Sequence, residues 1–242
     1  MVYSLEHVGY VVLAYLIGSV PSAVWIGKAF YGIDVREHGS GNAGATNVFR
    51  VLGKGPGIVV LLMDIFKGYL ALQLAFVSGE YLPSSQQYVN FKLIMGVASL
   101  TGHIFPVFAG FRGGKGVAIM LGILIGLNPM AALICSTVFL LVFLLSGFVS
   151  LGSLSAALAY PFVMMLVMGE TIPSVNIFSM AVCVLVFVTH QKNIERLLSL
   201  KPDLILLWPD SVTPSQREQL RRTGIPLHIG EPHDLQELAE QF

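Results

Sequence analysis

The sequence predicts an all-α polytopic membrane protein with seven transmembrane helices, one of them short or broken, followed by a small α/β tail. Three observations carry this expectation. The chain is 55% hydrophobic and only 12% charged, about half the charged share of a soluble domain. Seven apolar segments run at about 8–30, 55–79, 91–111, 114–127, 129–147, 150–169 and 173–190. Lysine and arginine gather in alternate connections between them, as they do on the inner side of membrane proteins.

The first segment is too long, and follows the wrong flank, for a cleaved signal peptide. It contains Gly18, Ser19, Pro21, Ser22 and Gly27. Small residues permit close helix approach, and Pro21 predicts a kink. The second segment carries Asp64 and Lys67, three apart and so on one helix face. Charges at membrane depth pair towards the bundle interior; a structural pair and a role beside a site both remain open. Segment 114–127 covers only about 21 Å at 1.5 Å per residue, against roughly 30 Å of hydrocarbon. It crosses only if flanking backbone helps, as short helices lining an enclosed cavity do. Cys135 and Cys183 lie in apolar runs without pairing or ligand spacing and read as small hydrophobes.

Arg36, Arg50 and Lys54 follow the first segment, Arg112 and Lys115 the third, and Lys192, Arg196 and Lys201 the seventh. These share one side if 114–127 counts as a crossing, which places the N-terminus outside and the C-terminus in the cytoplasm. Lys92 is the exception on the opposite side. The formal net charge is zero, which argues against a nucleic-acid partner.

Three polar islands interrupt the apolar pattern. The first, His38 to Arg50, is rich in glycine and neutral donors: Ser40, Gly41, Asn42, Gly44, Thr46 and Asn47, closed by Arg50. Glycines let backbone N–H groups converge on an anion, and a guanidinium offers a planar fork. By itself the stretch also reads as a flexible loop. The second runs from Gly102-His103 to Gly113-Gly114-Lys115-Gly116, where glycines would let a phosphate approach the lysine. It lacks the GxxxxGK[ST] spacing of a nucleotide loop. Lys115 alone also fits an ordinary inside anchor, and His103 a packing hydrogen bond. The third places His190 and Asn193 on one helical face, where a histidine also commonly caps carbonyls. Ser150 and Ser153 form a weaker fourth patch. On the expected topology all four lie at one membrane face. Several cations and many donors without a carboxylate cluster describe a cradle for phosphorylated anions. His190 is the one general base in view, and neither a metal site nor a cofactor is expected.

The ordered motifs SGNxGATNxxR (Ser40 to Arg50), GHxFPxFxxFxGGKG (Gly102 to Gly116) and HxxNIxRL (His190 to Leu197) resemble those of the bacterial membrane acyl-phosphate:glycerol-3-phosphate acyltransferases. The resemblance covers about residues 5–200. It implies a seven-span inner-membrane enzyme whose site faces the cytoplasm. It implies acyl transfer from acyl phosphate to the sn-1 hydroxyl of glycerol 3-phosphate, giving lysophosphatidic acid and phosphate. By motif, Ser40, Arg50, Lys115, His190 and Asn193 would hold the substrate phosphates. Gly41, Asn42, Gly44, Thr46, Asn47 and Gly114 would bind substrate as well, the loop residues Gly41, Asn42, Gly44 and Thr46 by shaping the loop over it, with Ser153 favoured over Ser150 as a further contact. Acyl phosphate is already activated, which agrees with the lack of a Ser-His-Asp set or an HxxxxD motif. The rival reading is a transporter for a phosphorylated metabolite. The one-sided placement of the islands argues against it, since alternating access needs a matching set opposite.

Residues 1–200 are thus expected to form the membrane domain and 201–242 a soluble tail without a catalytic part. Strands are expected at 204–208 and 225–229, and helices at 213–224 and 234–242. The tail resembles a fragment of a periplasmic substrate-binding protein of the B12/siderophore type.

Overall fold

The first apolar segment forms two helices, α1 (Leu5–Gly18) and α2 (Ser22–Tyr31), bent by 43°. Pro21 precedes α2 and supplies the break. This computed structural model describes residues 5–79, 81–83, 85–199, 205–207, 218, 220–221 and 227–229, with side chains in the last helix described as far as Gln191. The chain divides into two compact units, Met1–Gln191 and Lys192–Phe242.

In the first unit a short helix, α3 (Ala45–Val51), leads into α4 (Lys54–Val77). Next come α5 (Gln86–Ile104), α6 (Val117–Leu127), α7 (Pro129–Ser146), α8 (Val149–Phe162) and the part of α9 (Pro173–Ser199) up to Gln191. α8 contains Pro161 and continues as a π-turn over Val163–Val167, as helices do where a proline removes a ladder bond. Among the described residues, five helices are long and apolar enough to cross a membrane, or six if the bent α1–α2 pair is one span. α6 has 11 residues and rises only about 16 Å. Lys92, the exception to the charge pattern, donates to the Gly126 carbonyl at the end of α6 and so satisfies a backbone acceptor there. Asn128 then caps α7, accepting from Ala131 N–H at 3.0 Å, with Pro129 at the first helical position.

Glycines set the helix spacing. Ile65 of α4 presses its carbonyl oxygen against Gly122 of α6, and Ile119 presses on Gly68 in return; neither glycine has room for a Cβ. α1 and α5 meet the same way at Gly18 and Gly102, against the carbonyls of Ser99 and Tyr15. Small residues are what bring membrane helices together where lipid removes the hydrophobic drive. One core packs Phe91, Met95 and Ala71 among α1, α4 and α5. A second packs Ile119, Ile123, Tyr160 and Val186 among α6, α8 and α9. Leu145 and Leu166 stand outwards, 88% and 77% exposed, as lipid-facing residues do. Gly122→Val should therefore lower stability by at least about 1–3 kcal/mol by overpacking the α4–α6 seam, read as an earlier thermal transition in detergent. Gly9→Ala, with nothing within 4 Å of the added carbon, should not lower that transition, since alanine is the better helix former.

In the second unit Ile205–Leu207 pairs in parallel with Leu227–Ile229, Ile205 opposite Leu227. Parallel strands need a crossover connection, and Glu218, Leu220 and Arg221 within it are helical. The expected helix at 234–242, and most of that at 213–224, lie outside the described residues.

Candidate functional site

The first island is anchored before it begins. Gly32, left-handed at φ 67°, ends α2. Asp34 then caps a 3-10 turn over Val35–Glu37, accepting from Arg36 N–H at 3.0 Å. The Arg36 guanidinium grips the same carboxylate through Nε at 3.0 Å and Nη2 at 2.7 Å. This two-pronged grip holds the Asp34 carboxyl well below the usual carboxylate range and raises Arg36 in turn. Nη1 reaches on to the Ala109 carbonyl at 2.7 Å. Arg36 thus ties the first island to the second. In the sequence Arg36 stands out only as a cation of the loop after the first apolar segment; its place two residues after Asp34 is the one signal of this tie.

The loop closes over α3, whose Val48 packs with Val35, Ala23 and Val60 beneath it. Asn47 is 1% exposed. Its Oδ1 accepts from Ser40 N–H at 2.8 Å and the Ser40 hydroxyl at 3.0 Å. Its Nδ2 donates to the carbonyls of Val35 at 2.7 Å and His38 at 3.1 Å. A side-chain amide has two donors and two acceptor positions, so Asn47 is fully spent inside the loop. The expectation that it meets substrate is corrected: it is the strut that fixes the loop. Ser40 is exposed but gives its proton to Asn47, so it donates to a ligand only by exchanging that bond. Gly41 turns at φ 69°, and Gly44 leaves room for the Asn42 side chain, whose Oδ1 lies 2.9 Å from where a Cβ would stand. Thr46 and Arg50, four apart on α3, share one face and are exposed.

In the second island the chain doubles back over the end of α5. Gly113 and Gly114 donate to the carbonyls of Ile104 and His103, each at 3.2 Å, and so satisfy acceptors the helix end leaves open. A Cβ at Gly114 would overlap the His103 ring. Gly114 is buried and its N–H is taken. Its expected contact with substrate is likewise corrected: it is a packing position that sets Lys115. Gly116, left-handed at φ 86°, opens α6. Lys115 is half-buried; burial lowers its ammonium from the ordinary value, and the charge of Arg50 lowers it further. The charge of Arg50 thus reaches Lys115, and among the described residues neither has a carboxylate partner.

In the third island His190 is 3% exposed. Its Nδ1 lies 2.8 Å from the Val186 carbonyl. A carbonyl only accepts, so Nδ1 carries the proton and Nε2 is left for another partner. Lys115 is within Coulombic reach of this ring. The charge of Lys115, in the α5–α6 connection, thus acts on His190 of α9, and that of Arg50, on α3, acts on Lys115. Ser153 is buried and donates to Val149 of its own helix at 2.8 Å. Asn193 lies on α9, with its side chain outside the described residues. The Asp64–Lys67 pair is present at 2.8 Å, buried between α4 and the α1–α2 break.

Fold and site together define a multi-pass integral membrane protein in which three polar segments, distant in sequence, share one electrostatic neighbourhood. A family model described as glycerol-3-phosphate acyltransferase matches residues 8–200. The glycerol-3-phosphate acyltransferase of Enterococcus faecalis is 42% identical over 193 residues, 76% of this chain and 85% of its own length. That of Listeria welshimeri is 44% identical over 187 residues, 76% and 89% of the two chains. Among solved structures, PlsY (YgiH), an integral membrane glycerol 3-phosphate acyltransferase, aligns in its glycerol 3-phosphate form with a TM-score of 0.71. The identity is 37%, and the match covers 80% of this chain and 92% of that one. Its lysophosphatidic acid form aligns at 0.69 with 36% identity. The chain belongs to the glycerol-3-phosphate acyltransferase family.

Proposed function

We infer that this protein transfers an acyl group from acyl phosphate to the sn-1 hydroxyl of glycerol 3-phosphate, forming lysophosphatidic acid and inorganic phosphate in phospholipid synthesis. The observation that carries the reading is that Arg50 and Lys115 feel each other's charge while, among the described residues, neither is ion-paired to a carboxylate. Two neighbouring cations repel, and an anionic ligand relieves both. Ser40, Thr46, His190 and Asn193 complete the substrate contacts, with Ser153 as a further one. Asn42 and the turns at Gly41 and Gly44 shape the loop.

The glycerol hydroxyl oxygen attacks the acyl carbon, the ester C–O bond forms, and the bond from that carbon to the phosphate oxygen breaks. The leaving phosphate takes the electron pair, so no enzyme nucleophile is required. Rate comes from holding two anions together and stabilising charge on the leaving group. The hydroxyl proton passes to the phosphate of glycerol 3-phosphate itself. His190 offers Nε2 to the substrate and orients it. His190→Gln should therefore keep turnover measurably above background. Background turnover with intact glycerol 3-phosphate binding would make His190 the base instead.

The topology that suits this chemistry has seven crossings, α1–α2 counting as one and α6 completing another with its flanking backbone. The N-terminus is outside, and the site faces the cytoplasm from the bacterial inner membrane. The cation-rich connections at Arg36–Lys54, Arg112–Lys115 and beyond Lys192 support that orientation. Residues 201–242 take no part in the catalysis. Purified protein in lipid, given acyl phosphate and glycerol 3-phosphate, should release phosphate in step with lysophosphatidic acid. Binding of glycerol 3-phosphate without either product would overturn the reading.

A further inference from the structure

Behind the glycines that carry Lys115 lies a buried polar cluster that acyl transfer leaves unused. Asp64 is 1% exposed. Its Oδ1 accepts from the Ser22 hydroxyl at 2.9 Å and meets the Lys67 ammonium at 2.8 Å. Lys67 also donates to the Val20 carbonyl at 2.8 Å, in the break between α1 and α2. His103, 5% exposed, sets its Nδ1 3.8 Å from the same Asp64 oxygen. The opposite edge of the ring, Nε2 and Cε1, lies flush against Gly114. The Ala43 carbonyl borders the same point, 3.2 Å from where a Gly114 Cβ would stand. One imidazole therefore has Asp64 on one edge and both anion-holding loops on the other.

Helix packing alone does not call for this arrangement. Apolar residues of similar volume generally stabilise a core at least as well as a buried ion pair. What fixed donors add is a single orientation. Ser22 and Lys67 pin the carboxylate, and the carboxylate faces one edge of the ring. The ring in turn is the surface on which Gly114 rests, immediately before Lys115.

We propose that His103, oriented by Asp64 and Lys67, is a positioning residue that sets the direction of Lys115 towards the substrate phosphate. It touches no substrate, since Gly114 stands between. The inference rests on the acyl-transfer reading.

The test is a double-mutant cycle between His103→Ala and Lys115→Ala, with kcat and KM for glycerol 3-phosphate measured in proteoliposomes. His103→Ala alone should lower kcat/KM at least about tenfold; in the Lys115→Ala background it should cost less than about twofold, because the lysine it directs is gone. Should His103→Ala fail to fold, His103→Gln, which keeps a polar atom towards Asp64 but removes the ring, is taken through the same cycle. Equal losses in both backgrounds would assign His103 to general packing and overturn the proposal, as would unchanged kinetics in the single variant. Wild-type protein inactive with acyl phosphate would instead sink the acyl-transfer reading.

Discussion

Replacing Lys115 with alanine should lower kcat/KM for glycerol 3-phosphate by about 10²-fold or more, the scale on which preorganised donors act at developing charge. The lysine is held where its own charge is disfavoured, first by burial and then by Arg50. A phosphate arriving there gains more than it would from a solvated lysine, because partial burial weakens the screening between them. The effect should fall on kcat as well as KM, since charge on the leaving phosphate grows along the reaction. The same environment fixes a pH dependence. The alkaline limb of kcat/KM reports free-enzyme groups. A lowered Lys115 loses its proton, and the site its cation, at lower pH than an ordinary lysine would. Arg50→Gln removes one of the two causes, so the residual activity should show that limb moved to higher pH. An unmoved limb, or a Lys115→Ala variant near wild-type activity, would take Lys115 out of the site.

The helices were legible in the sequence because lipid leaves little choice. A segment that crosses hydrocarbon must satisfy its backbone internally and present apolar side chains, and each of the seven apolar runs corresponds to a helix or a bent pair. The kink at Pro21 and the shortness of 114–127 follow from the same rules. Which polar residues face a ligand was far less legible. Asn47 has the donors of a phosphate-binding residue, and nothing in its neighbours along the chain shows that Val35, His38 and Ser40 use them all. Gly114 was ambiguous for a related reason. The missing side chain that would admit a phosphate also admits the end of α5, and the second use is the one the structure shows. Arg36 looked like a topology signal because its partners at Ala109 and Arg112 are distant in sequence. Spacing rules see neighbours on one helix, as with Asp64 and Lys67, and miss partners brought in from another.

Lys67→Met should destabilise the protein by about 3–5 kcal/mol, the usual cost of stranding one partner of a buried ion pair. The side chains of Lys67 and Asp64 are 7% and 2% exposed, so solvent does little to screen the pair. Removing the ammonium leaves the Asp64 carboxylate with the Ser22 hydroxyl at 2.9 Å and His103 at 3.8 Å, and frees the Val20 carbonyl in the α1–α2 break. In a chain of this size that loss should bring the thermal transition down by roughly 6–20 °C, measured in one detergent at one pH. The double variant Asp64→Asn/Lys67→Met separates charge from packing. It removes both ions and keeps a polar group for Ser22, so it should recover most of the lost temperature. If the double variant is as unstable as the single one, the carboxylate was never the source of the penalty. The cluster would then owe its stability to the lysine's bond with Val20, which holds the kinked first span closed.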